Sequence, residues 1–138
     1  MRKVGFVFGG LVALALSLGA VTAADEKVPA IKQIMKTATG DAGLCAKAAK
    51  AGKDGKWEDA QKLAKSLSDC CAFLPKNKAP KGDAEKWEKL AKEFADNGAA
   101  IQKACDDKDA EALSKAVGTF AKACGTCHME FKPAKKAK

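Results

Sequence analysis

Tyrosine is absent from this chain, and histidine occurs once, as His128. Arginine is confined to Arg2, so every basic residue after the first 24 is lysine. Outside an apolar stretch from Val4 to Leu18 there is no long hydrophobic run. Each scarcity excludes something. With a single histidine, the chain cannot build a zinc site of two cysteines and a distant histidine pair. A lysine-only basic complement lacks the forked donors that favour nucleic-acid readout, so nucleic-acid binding is poorly supported. The absence of tyrosine and the scarcity of β-branched residues after Asp25 argue against strands, while alanine, lysine, leucine, glutamate and aspartate favour helix. No nucleophile–base constellation and no glycine-rich phosphate loop can be found, so an enzyme is not expected.

The N-terminus reads as a secretory signal. Met1-Arg2-Lys3 is a charged start, Val4 to Leu18 is apolar, and Val21-Thr22-Ala23-Ala24 offers small residues for cleavage. An uncleaved anchor would fit the length, but the small-residue end and the following Asp25-Glu26 favour cleavage. No cysteine follows closely enough for a lipid anchor. Residues 1–24 are therefore expected to be a signal peptide and 25–138 one exported domain, with no stable membrane insertion after cleavage. The formal charge is +8, falling to +6 once Arg2 and Lys3 are removed.

Four periodic segments follow. The first runs from about Val28 to Ala51, with Ile31, Met35, Ala38, Ala42, Cys45 and Ala49 on one stripe. Gly40 and Gly43 weaken its middle, so a kink or break is expected near Gly40. After a turn at Gly52-Lys53-Asp54-Gly55, with Asp54 the expected N-cap, the second segment covers about Lys56 to Leu74. Pro75 to Gly82 is a loop. Asp83 then caps a third helix bearing Trp87, Leu90, Phe94, Ile101 and Cys105. The acids of Asp106 to Asp109 open a fourth, with Leu113, Val117, Phe120, Cys124, Cys127 and Phe131 in one seam. Short loops between amphipathic helices predict an all-α, up-down-up-down antiparallel four-helix bundle.

Cys124-Gly125-Thr126-Cys127-His128 carries the chemistry. Two thiols three residues apart can add to the two vinyl groups of one porphyrin, and the adjoining imidazole can reach the iron. Competing readings need what the chain lacks: a redox dithiol wants a βαβ setting, and a zinc site wants four ligands. A plain disulfide would leave His128 unexplained. Haem c with its iron is the expected cofactor. Because both cysteines fall in the core seam of the fourth helix, the porphyrin must enter the bundle.

With that motif on a fourth helix near the C-terminus and His128-Met129-Glu130-Phe131-Lys132 after it, the chain resembles the class II c-type cytochromes, cytochrome c prime and its low-spin, methionine-ligated relatives. The resemblance spans the whole mature region and implies a monohaem four-helix bundle. In cytochrome c prime an apolar residue of the first helix covers the second axial side of the iron and leaves it open to small gases. In the low-spin relatives a methionine closes it. Ile31-Lys32-Gln33-Ile34-Met35-Lys36 looks like the methionine-bearing version, with Met35 as sixth ligand. Counting levels at about 1.5 Å per residue also brings Met35 beside Cys124 to His128. Met1 is lost with the leader, and Met129 lies on the proximal helix. The alternative is a space-filling methionine over an open iron.

The expected function is thus an exported, periplasmic electron carrier with haem on Cys124 and Cys127 and iron on His128 and Met35. A five-coordinate NO- or CO-binding protein is the alternative. Leu67, Leu90, Phe94, Phe120 and Phe131 are the expected pocket wall. Lys132, Lys135, Lys136 and Lys138 suit an acidic redox partner, and a homodimer is compatible with the sequence. Cys45, Cys70, Cys71 and Cys105 are spare; a Cys45–Cys105 bridge, at the bundle end away from haem, is geometrically marginal, and buried free thiols are the competing reading.

Overall fold

The computed structural model describes residues 27–132, so the expected signal peptide and the last three tail lysines lie outside the described residues. Five α-helices and one 3₁₀ turn are present among them: α1 Ile31–Ala38, α2 Leu44–Lys53, α3 Trp57–Cys71, the turn Leu74–Lys76, α4 Ala84–Asp106 and α5 Ala110–Phe131. No strand occurs among the described residues. α2 packs on α3, α3 on α4 and α4 on α5, and α2 closes the ring against α5. The four-helix bundle is therefore as expected, with its first helix divided into α1 and α2.

That division spans five residues, Thr39 to Gly43. Thr39 ends α1 by donating both its backbone N–H (3.0 Å) and its hydroxyl (2.7 Å) to the Met35 carbonyl. Gly40 then turns the chain at φ +84°, a region where a Cβ is costly. A side chain at Gly43 would collide with the Thr39 carbonyl, so the segment doubles back tightly. The apolar stripe crosses this gap because both halves face the same core.

The helix expected from about Lys56 begins at Trp57, but Asp54 is not its cap. Lys56 donates to the Ala51 carbonyl and Gly55 to that of Gly52, the paired bonds of a Schellman ending, with Gly55 at φ +74°. Asp54 thereby finishes α2 instead of capping α3. The cap expected at Asp83 forms, accepting from the N–H groups of Glu85 and Lys86; of the acids expected to open the last helix, Asp109 caps it, accepting from Ala112, while Asp106 and Asp107 belong to the end of α4.

The core is built largely from alanine, which lets the helices approach closely. Ala48, Ala60, Ala64 and Ala91 are fully buried among Leu67, Leu74, Ile101 and Cys71. Gly98 carries this further, since a Cβ there would stand 2.9 Å from the Cys71 Cβ. Larger groups cluster toward the α4–α5 pair, where the Phe94 and Phe120 rings lie 4.9 Å apart. Fully burying such a ring stabilises by roughly 1.5–3 kcal/mol, whereas an exposed helical ion pair such as Lys65–Asp69 contributes about 0.3–0.5. Packing therefore decides the fold.

Lys108 closes α4 in the same way that Gly55 closes α2, with Asp109 donating to Ala104 and Lys108 to Cys105, but at φ +54° on a residue with a side chain. Left-handed backbone costs a non-glycine residue roughly 1–2 kcal/mol. Lys108→Gly is expected to raise the unfolding free energy of the haem-loaded protein by about 1 kcal/mol in denaturant titration, less than the full strain because glycine also frees the unfolded chain.

Candidate haem site

α5 is one uninterrupted helix through the C-x-x-C-H segment, so Cys124, Cys127, His128 and Phe131 follow one another along a single face. Cys127 and Phe131 are buried, Cys124 and His128 half-buried, and Gly125, Thr126 and Met129 turn outward. Met129, 81% exposed, stands away from the cavity, as its place on the helix required.

The face opens on a cavity of about 510 Å³ lined by Ile31, Lys32 and Met35 of α1, Pro80 of the long loop, Trp87 of α4, and Cys127, His128, Phe131 and Lys132. Its size lies within the roughly 300–1,000 Å³ of cofactor pockets. The wall is apolar apart from His128 and the two lysines. A surface depression of about 480 Å³ between α2 and α3, lined by Lys47, Lys50, Lys56 and Lys62, has neither thiol nor imidazole.

Met35 and His128 thus reach one cavity from different helices. Met35 is placed by its neighbours: Ile34 and Ala38 are buried, α1 packs on α3, and the Cys70 Sγ lies 3.8 Å from the Ile34 carbonyl, positioned to donate to it. Opposite, Trp87 stands edge-on to Phe131, with centroids 5.2 Å apart and planes at 78°, and its indole N–H donates to the Asn77 carbonyl at 2.8 Å.

The expected wall needs correction. Of Leu67, Leu90, Phe94, Phe120 and Phe131, only Phe131 borders the cavity. Leu67, Phe94 and Phe120 pack deeper in the core, and Leu90 is half-buried against it. Trp87, Pro80 and Ile31 take their place, because the cavity sits at the bundle end where the loop crosses. Trp87 was visible as a core position of α4; nothing in the loop's sequence marked Pro80.

All six cysteines are free thiols. Cys71 and Cys105 are buried and Cys70 is half-buried, in keeping with the divergence of adjacent helical residues. Burial raises every one of these thiols: Cys45 is pushed up to about 11, first by desolvation and then by the Cys124 thiol, and Cys71 further still. Cys45 is therefore within electrostatic reach of Cys124, although helix counting placed it toward the bundle end away from haem.

A model of the family described as Cytochrome C' matches residues 82–132, which are α4, α5 and their connection with the C-x-x-C-H segment. The match supports a class II c-type cytochrome. Comparison with curated proteins and with solved structures found no match. A cytochrome of this class carries one covalent haem c with its iron. The residues present fit that group: a thiol pair on one helical face, an adjoining imidazole, and an apolar cavity. The family match begins after α1, so it does not reach Met35.

The raised thiols give a pH dependence. A thiol with a folded pKa above its unfolded value of about 9 favours folding fully below pH 9 and loses that contribution as pH rises toward the folded value. Stability of the cytochrome should fall between pH 9 and 11, and Cys45→Ala should flatten that fall relative to the parent; chemical denaturation at pH 8 and pH 10.5 checks it.

Proposed function

We propose that this cytochrome is an exported electron carrier whose haem is joined to Cys124 and Cys127 and whose iron is held by His128 and Met35. The observation that carries the reading is that Met35 of α1 and His128 of α5 line the same cavity. Haem supplies a one-electron iron couple, and an imidazole–thioether pair raises its potential. Both ligands come from the chain, so neither has to be acquired or lost when the charge changes.

The remaining residues serve that couple without turnover. Ile31, Pro80, Trp87 and Phe131 keep water from the cavity and lower its dielectric, which sets the potential. Lys32 and Lys132, both exposed at its edge, offer positive charge to the porphyrin's carboxylates and to an acidic redox partner. Export to the periplasm agrees with the N-terminal segment. No helix among the described residues is long and apolar enough to cross a membrane.

One observation favours the second reading, an open gas-binding iron. α1 is only eight residues long and is separated from α2, so Met35 could serve as a cover instead of a ligand.

Met35→Leu distinguishes them. The parent is expected to show low-spin bands with a sulfur-to-iron charge-transfer feature and slow carbon monoxide uptake. The variant should lose that feature, become high-spin, bind carbon monoxide at once and fall in potential. A parent already high-spin, with a variant that matches it, would establish the gas-binding protein instead.

Charge at the cavity edge makes a separate expectation. Reversing Lys32 and Lys132 to glutamate should slow electron exchange with an acidic partner by the order of tenfold at low salt, with the difference vanishing near 1 M, where the Debye length is about 3 Å.

A further inference from the structure

Asn77, just after the 3₁₀ turn, is bonded to both sides of the haem cavity. Its side-chain Nδ2 donates to the Pro29 carbonyl at 3.2 Å and to the Phe73 carbonyl at 3.0 Å. Both acceptors are carbonyls, so only the amide nitrogen can face them. Its own carbonyl accepts the Trp87 indole N–H at 2.8 Å. Pro29 leads directly into α1, the helix of Met35. Trp87 packs on Phe131, one turn beyond His128 on α5.

We propose that Asn77 is a positioning residue, a clasp that holds α1, and with it Met35, against the His128 side of the cavity. α1 needs one. An eight-residue helix is too short to persist alone, its first turn has no side-chain cap, and the Thr39–Gly43 break prevents α2 from holding it straight. Burial of Ile34 and Ala38 secures its second half. At its entry, the bond from Asn77 to Pro29 is the tie, and the Phe73 bond anchors the same amide to the end of α3. The Trp87 bond then fixes the loop to the far wall, so a change on one side of the cavity is felt on the other.

Any hold of the clasp on an iron ligand rests on the reading of Met35 as sixth ligand; its effect on access to the cavity does not, because Met35 borders the cavity under either reading. The test uses haem-loaded protein and measures carbon monoxide association to ferrous haem together with the thermal midpoint. Asn77→Asp keeps the shape but, as a carboxylate, donates to neither carbonyl. Trp87→Phe removes the indole N–H and keeps an aromatic ring. Asn77→Asp should speed association about tenfold, the ratio that corresponds to losing the one net hydrogen bond to Pro29 that ties α1, and Trp87→Phe should move it in the same direction. Leu113→Ala, a buried truncation at the start of α5, should lower the thermal midpoint at least as far while leaving the rate unchanged.

An Asn77→Asp rate equal to the parent's, or a Leu113→Ala rate raised as much, overturns the clasp. Failure of the ligation reading appears elsewhere, as a ferric spectrum that Met35→Leu does not alter. The rate comparison decides the clasp in that case as well.

Discussion

On the proposed reading, the seam of α5 has to be both a core stripe and a haem attachment site, and the rest of the bundle is arranged around that double demand. Leu113 and Phe120 pack as core residues, and Cys127 and Phe131 continue along the same face into the cavity. A helix that turned its thiols outward would leave an attached porphyrin in water. A helix packed equally tightly along its whole length would leave no room for one. The compromise is visible in the neighbours: α4 stays against α5 throughout, α2 meets it in the region of Leu113, and α1 packs on α3 while the cavity lies between Met35 and His128.

This arrangement makes α1 the element with least support of its own. Isolated helices shorter than about 12–15 residues are marginal in water, so the order of an eight-residue helix has to come from outside it. Two buried side chains, a thiol beside the Ile34 carbonyl and an amide bonded to Pro29 supply that order. A ligand mounted in this way is easier to displace than one in the middle of a long helix. The same fold can thus serve a closed or an open iron with few changes, and α1's tethers decide how firmly the site is shut.

The helices and, Asp54 apart, their caps were legible because they depend on local chemistry. Asp83 and Asp109 stand immediately before apolar-periodic runs, and the C-x-x-C-H segment is defined by spacing alone. The common cavity of Met35 and His128 could also be anticipated, since helix rise converts residue counts into levels. The wall was less accessible: periodicity reports which face of a helix is buried but not how far along the bundle a void opens, so Phe94 and Phe120 read the same as Trp87. The length of the break at Thr39 to Gly43 was hidden because both halves keep one apolar stripe. Lys108 in a left-handed conformation and the bonds of Asn77 had no sequence signal, as each follows from how two long helices have to meet.

Six thiols in one small bundle raise the question of what distinguishes the two that suit haem. Acidity does not, because burial is the first cause of a raised pKa at Cys45, Cys70, Cys71, Cys105, Cys124 and Cys127 alike. Placement does. Cys70 and Cys71 are adjacent, so their side chains diverge by about 100° and cannot present two sulfurs along one edge of a porphyrin. Cys45 and Cys105 lie on different helices with no second thiol one turn away. Only Cys124 and Cys127 share a helical face at the spacing of one turn with an imidazole next to them, and of the six thiols Cys127 lines the cavity, with Cys124 one turn behind it on the same face. On the proposed reading, the selectivity of the site is thus a property of chain geometry.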